Sequence, residues 1–202
     1  GEESFAKVMD MAEYARREIN EIGGYYAYGK ELVNGTSVYD YDVTKLSVHT
    51  LGLGLAGIEV YDLLRDEYDI QIEFGDVSNI LAYISIGDRL QDIERLVGAL
   101  ADIARIYKKD STGMLSGEFI SPIVARSPQE AFYSAKESMP VEKTEGRISG
   151  EFVMCYPPGI PILAPGEMIT DEIIQYILYV KEKGCSMQGT EDKSVNKLKV
   201  LV

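Results

Sequence analysis

Apolar residues recur along this chain with two distinct periods. Phe5, Val8, Ala12, Ala15, Ile19 and Ile22 stand three and four apart, which predicts a helix over residues 4–22 with Ser4 as its cap. Gly23-Gly24 stops it. Tyr25, Tyr26 and Tyr28, then Val38 to Tyr41, read as short extended pieces. Residues 46–51 read as a strand, and the glycines at 52, 54 and 57 lead from it into a helix over 55–68. Residues 70–74 and 80–86 are two strands, antiparallel across the Gly75-Asp76 turn. Asp88 starts a helix, with Gln91 completing a capping box. Its buried face is Ile93, Leu96, Val97, Leu100, Ile103, Ala104 and Tyr107. The first half is thus a sheet with helices on one side.

The polar run Lys108-Lys109-Asp110-Ser111-Thr112-Gly113 ends that periodicity, and the domain boundary is placed there, reaching to about Ile120. The resulting division is one domain over 1–112 and a second α+β domain over 118–202. In the second, Ser127-Pro128 opens a helix with serine as cap and proline at the first turn. Residues 147–154 alternate as a half-buried strand. Thr170 caps a helix over 171–183 with Ile173, Ile174, Ile177, Leu178 and Val180 inward and Gly184 as its stop, and residues 197–202 form a last strand. Between them lies Tyr156-Pro157-Pro158-Gly159-Ile160-Pro161-Ile162-Leu163-Ala164-Pro165-Gly166-Glu167, with four prolines and two glycines in the eleven residues from Pro157 to Glu167. Proline fixes φ and removes a donor, so the stretch reads as a stiff extended loop, either a rigid crossover or the wall of a binding site.

Composition narrows the function classes. A net charge of −13 argues against nucleic acid, which selects basic faces. It suits solubility and also a cationic ligand. No apolar run approaches the ~20 residues of a membrane span. Two cysteines, Cys155 and Cys185, lack metal or redox spacing and read as buried thiols in a reducing cytoplasm, and one histidine makes a zinc site improbable.

Several motifs carry a family resemblance. Arg147-Ile148-Ser149, Met154-Cys155-Tyr156-Pro157-Pro158-Gly159-Ile160-Pro161 and Pro165-Gly166-Glu167 resemble the C-terminal domain of the ornithine/lysine/arginine decarboxylases, and Ser127-Pro128-Gln129-Glu130-Ala131-Phe132 resembles its start. Gly29-Lys30-Glu31, Asp42-Val43-Thr44-Lys45-Leu46, Gly52-Leu53-Gly54-Leu55-Ala56-Gly57, Glu73-Phe74-Gly75-Asp76 and Ile84-Ser85-Ile86-Gly87-Asp88 are similar to the preceding small domain. The resemblance implies an aspartate-aminotransferase-like fold: an aminotransferase-type small domain over 1–112 and a decarboxylase C-terminal domain over 118–202. It implies a cytoplasmic, pyridoxal 5'-phosphate-dependent lyase acting on arginine, lysine or ornithine, serving polyamine biosynthesis, and a homo-oligomer, at least a dimer.

In that family a Ser-x-His-Lys motif in a large N-terminal domain holds the cofactor. Here His49 is followed by Thr50, and no lysine follows a histidine. The chain therefore reads as the C-terminal portion of a decarboxylase, an expressed or proteolytic fragment that lacks the cofactor domain as its partner and is inactive alone. The rival reading is a standalone, non-catalytic oligomerisation or regulatory paralogue. No residue here is assigned to catalysis, cofactor or metal. Substrate binding is assigned to Glu142, Glu145 and Tyr156, because a cationic side chain calls for a carboxylate in a partly dry pocket. Glu142 fits the family's Val-Glu-x-x-x-Gly-Arg segment, from which Lys143 departs. Both glutamates also fit a solvated turn, Tyr156 a buried phenol, and Glu167 a backbone anchor. Arg147 is a partner for one of the carboxylates, and His49 reads as a hydrogen-bonded structural residue. A third reading takes Gly52, Gly54 and Gly57 as a dinucleotide fingerprint, with Glu73 or Asp76 as its acid.

Overall fold

The computed structural model describes residues 1–111, 120–156 and 158–202. The chain divides into two compact units, Gly1–Ser116 and Gly117–Val202. The stretch on which the sequence places the domain boundary lies largely in residues 112–119, outside the described residues. No helix among the described residues is long and apolar enough to cross a membrane.

Unit 1 is a four-stranded antiparallel sheet carrying three helices on one face. Helix α1 is Glu2–Glu21, and strand β1 is Tyr26–Ala27. Strand β2, Lys45–His49, leads through a tight turn to α2, Gly57–Tyr68. Strands β3, Phe74–Gly75, and β4, Asn79–Tyr83, form the hairpin, and α3 is Leu90–Ile106. The strand order is β1-β2-β4-β3. Alternation assigns the faces. Ala27, Leu46, Val48, Ile80 and Ala82 point into a core with Val8, Ala12, Ala15 and Ile19 of α1, Val60 and Leu64 of α2, and Ile93, Leu96, Leu100 and Ile103 of α3.

The structure revises several details. Ser4 lies inside α1, whose cap is Gly1, and Phe5 is exposed instead of joining the stripe. Asp88 does not cap α3. That place belongs to Arg89, whose N–H donates to Asp92, while Asp88 accepts from the Ser85 N–H. Residues 38–41 form no strand. The first strand of the hairpin shrinks to two residues.

One buried charge was invisible to periodicity. Arg16 is 5 % exposed. Its guanidinium donates to the carbonyls of Tyr28 at 2.5 Å and Val43 at 3.0 Å and to Glu13 at 2.9 Å, and it lies over the Tyr41 ring. Those two carbonyls bracket the segment that leaves the sheet between β1 and β2, so one side chain ties both ends of the excursion to α1.

Unit 2 contains two small sheets around one helix. Helix α4 is Pro128–Tyr133, β5 is Lys136–Pro140, β6 is Val153–Tyr156 and β7 is Ile160–Leu163. Helix α5, Asp171–Glu182, precedes β8, Ser186–Gln188, and β9, Lys197–Leu201. One sheet pairs β5 with β9; the other runs β7-β6-β8. Ser127 caps α4, accepting from the Glu130 N–H while Glu130 reaches back to the Ser127 N–H, and Thr170 caps α5. The core joins Val141, Val153, Leu163 and Ile169 to Ile173, Ile174 and Ile177 of α5 and to Val195, Leu198 and Val200. Residues 147–154 are not one strand. Ile148 and Ser149 make isolated bridges to Met168 and Val200, and pairing resumes only at Val153.

Part of the proline-rich stretch is strand instead of extended loop. Tyr156 ends the central strand β6, and Ile160–Leu163 is an edge strand that includes Pro161, a position where a missing N–H is tolerated. Cys155 and Cys185 are both buried, and no disulfide joins them.

Candidate functional site

The three residues assigned to substrate binding lie in unit 2. Glu142 sits in the single helical turn Val141–Lys143 that follows β5, and Glu145 comes two residues after it. The turn is anchored from inside: Val141 is fully buried, and buried Thr144 donates its hydroxyl to the Val141 carbonyl at 2.7 Å. Anchoring those two side chains inward turns Glu142 and Glu145 outward, and both are exposed. Tyr156, at the end of β6, is 51 % exposed, so its phenol is not the buried one that strands usually carry.

Arg147 takes a different partner from the one expected. Its guanidinium donates to Glu137 on β5 at 2.7 Å and to the Leu201 carbonyl on β9 at 2.8 Å. It clasps the β5–β9 ribbon and leaves Glu142 and Glu145 aside. Glu167 anchors backbone, accepting from the Ala164 N–H at 2.8 Å across the Pro165-Gly166 turn. A cleft of about 590 Å³ opens beside Arg147 and is lined also by Arg126, Glu130 and Tyr133. Another of about 660 Å³ lies along β8, lined by Lys181, Cys185, Gln188, Thr190 and Lys193. Neither is lined by Glu142, Glu145 or Tyr156.

The glycine turn of unit 1 is built for packing. Phosphate-binding turns leave the first N–H groups of the helix open. Here the Ile58 N–H donates to the Asp76 carbonyl at 2.7 Å, the Gly57 N–H to Val77, and the Ala56 N–H to the Glu59 carboxylate at 2.8 Å. Gly57 is required because a Cβ there would stand 2.0 Å from the Asn79 carbonyl oxygen. Gly54 is required because its φ is +71°. Of the two acids offered for the fingerprint, Glu73 and Asp76, Asp76 is occupied by the Ser78 and Asn79 N–H groups. The dinucleotide reading fails on these contacts.

A covalently held pyridoxal phosphate needs a lysine in a dry pocket. None of the lysines is buried. Lys45 lies over the Tyr83 ring, Lys109 pairs with Glu59, Lys136 donates to the Phe132 carbonyl and Lys181 to Asn196. The residues of this chain do not fit the attachment of that group. Among the described residues, no three histidine, cysteine or acidic side chains gather as a metal site.

Comparison with known proteins gives the relatives of this chain. Residues 116–193 match the sequence model of the Orn/Lys/Arg decarboxylase C-terminal domain. The whole chain is 38% identical to an arginine decarboxylase of Halalkalibacterium halodurans and 37% identical to one of Bacillus subtilis, and it covers 42% of each. Its fold superposes along its full length on 40% of the lysine decarboxylase LdcF of Francisella novicida, with a TM-score of 0.68 at 19% identity. The chain thus spans about two fifths of the length of the relatives it matches. It is homologous, over its entire length, to the C-terminal part of the Orn/Lys/Arg decarboxylase family.

Proposed function

We propose that this chain supplies the small domain and the C-terminal domain of a cytoplasmic, pyridoxal-phosphate-dependent decarboxylase of a basic amino acid. Arginine is the first substrate to test. The observation that carries the reading is the unbroken similarity of the chain to arginine decarboxylases more than twice its length. Unit 1 is then the aminotransferase-like small domain and unit 2 the decarboxylase C-terminal domain. The cofactor lysine and the electron-sink chemistry belong to an N-terminal domain, and the working enzyme is a homo-oligomer. Alone, the chain neither holds the cofactor covalently nor releases carbon dioxide. Incubation of the chain with stoichiometric pyridoxal phosphate should give no internal-aldimine absorbance that borohydride fixes at one particular lysine. The full-length protein should decarboxylate arginine faster than lysine or ornithine. A stoichiometric aldimine at one lysine of the isolated chain, or no release from any basic amino acid by the full-length protein, refutes the reading.

Within it, Glu142 and Glu145 are the carboxylates offered to the cationic substrate side chain, with Tyr156 beside it. Their exposure in this chain supports that role, since neither is spent on an ion pair among the described residues. Glu142→Gln keeps the shape and removes the charge. In the full-length enzyme it should lower kcat/KM by an amount equivalent to about 2–4 kcal/mol, with folding unchanged. Wild-type kinetics in that variant return Glu142 to the solvent.

A further inference from the structure

The face of the unit-1 sheet turned away from the helices carries chemistry that the decarboxylase reading leaves unused. Register places Tyr26 of β1, His49 of β2 and Asn79 of β4 in one row across three strands. Tyr28, two residues beyond Tyr26, falls on the same face. The rings of Tyr26 and Tyr28 meet edge to face with centroids 5.1 Å apart, and those of Tyr28 and His49 are 6.5 Å apart.

Hydrogen bonding fixes what this row offers. The Asn79 side-chain oxygen lies 3.3 Å from the Tyr28 hydroxyl and 3.3 Å from His49 Nδ1. Its amide nitrogen donates to Asp76, which sets the orientation of the group. An amide oxygen has no proton to give, so His49 donates through Nδ1, and its Nε2 is left as an acceptor in the neutral ring. At the other end of the row, the Tyr26 hydroxyl and the Gly29 N–H both donate to Glu31 Oε1 at 2.8 Å. Its own backbone N–H and then Tyr26 hold the Glu31 carboxyl below the usual glutamate range. Tyr26 is 42 % exposed, and Glu31 is exposed as well. What remains to meet a ligand is therefore a carboxylate, an imidazole nitrogen and tyrosine π faces. Acceptors combined with π faces select a cation that carries N–H groups. The same face already stacks one ammonium: Lys45 Nζ lies 3.4 Å from the centroid of the Tyr83 ring.

We propose that Tyr26, Tyr28, Glu31 and His49 form a recognition site for a small organic cation, an alkylammonium or a guanidinium, whose N–H groups reach Glu31 and His49 Nε2 while its carbon skeleton lies on the tyrosines. The site is in unit 1 and is independent of the roles given to Glu142, Glu145 and Tyr156, so either reading can fail without the other. His49 is the chain's one histidine, so its imidazole Hε1 gives an unambiguous proton resonance. The 202-residue chain is titrated at fixed pH and ionic strength with n-butylguanidinium, n-butylammonium and neutral n-butylurea. One or both cations should move the His49 resonance saturably, and whichever does so defines the ligand class. Butylurea should not move it. Glu31→Gln should weaken binding about tenfold, the scale of one charge-assisted contact. Tyr26→Phe keeps the ring, frees the carboxylate and should weaken binding less. Spectral dispersion confirms that each variant is folded. No saturable shift with either cation, an equal shift with butylurea, or unchanged affinity in a folded Glu31→Gln variant overturns the proposal.

Discussion

The two faces of the unit-1 sheet use the same strands for opposite purposes. On the inner face, Leu46, Val48, Ile80 and Ala82 are at most 6 % exposed and pack into the apolar core. On the outer face, Tyr26 and Tyr83 are 42 % and 50 % exposed, and their neighbours are hydrogen-bonded or charged. A side chain in the first set is held by its fit among neighbours, and its loss leaves a void. A side chain in the second is held by directional contacts that water can replace. Stability should therefore concentrate on one face and recognition on the other, although alternate residues of a single strand supply both.

The sharpest test of that asymmetry is Leu46→Ala. It removes a side chain 1 % exposed and should cost about 3 kcal/mol in urea denaturation, the middle of the range for buried leucine. A loss under about 1 kcal/mol would mean that the inner face collapses around the gap. Arg16→Met comes next, at about 2 kcal/mol. The methionine preserves much of the stem but leaves the Tyr28 and Val43 carbonyls without their donor in a buried place. Amide exchange should quicken in residues 29–44 more than in α3, and uniform quickening would count against a local clasp.

Tyr83→Leu on the outer face should move stability by about 0.5–1 kcal/mol, the worth of one exposed cation–π contact. A loss as large as that of Leu46→Ala would abolish the distinction between the faces. The smallest effect is set by pH. Glu31 has a lowered folded-state pKa, so its contribution is present above the unfolded value and disappears as pH falls through the folded one. For so exposed a group that is a few tenths of a kcal/mol. Acidification through and below the glutamate range should loosen residues 29–31 before it affects the inner core. Simultaneous loss of both would show that the outer face is coupled to the core after all.

These asymmetries were only partly legible in the sequence. Helices α1, α3 and α5 announced themselves because three to five turns of apolar stripe exceed any chance pattern. Strands β5 and β8 did not, since Lys136–Pro140 has no clean alternation and Ser186–Gln188 is too short for one. Arg16 escaped because composition counts a charge as surface, whereas two carbonyls brought by distant segments, with Glu13 one turn away on α1, let this one be buried. The caps Ser127 and Thr170 were readable, as local hydrogen bonds depend on adjacent residues alone. Ser4 and Asp88 offered the same chemistry one turn or one residue away from the true helix start. The candidate site was less legible than the fold. Glu142, Glu145 and Tyr156 are near in sequence, but no contact among the described residues gathers them. The row of Tyr26, His49 and Asn79 arises only when a register is known, and its one local signal was the alternation of Lys45, Ser47 and His49 with Leu46 and Val48.

Pro161 has a consequence for how unit 2 behaves among copies of itself. Strand β7 borders its sheet, and a bare border is where one chain zips onto another. Pro161 strips a donor from the middle of that border, and the pairing with β6 shifts register between Val153 and Met154, which twists it. A neighbouring molecule approaching this border finds a broken ladder. Replacing Pro161 by valine would restore a continuous row of donors, and the expected result is a protein that folds as before but precipitates on concentration.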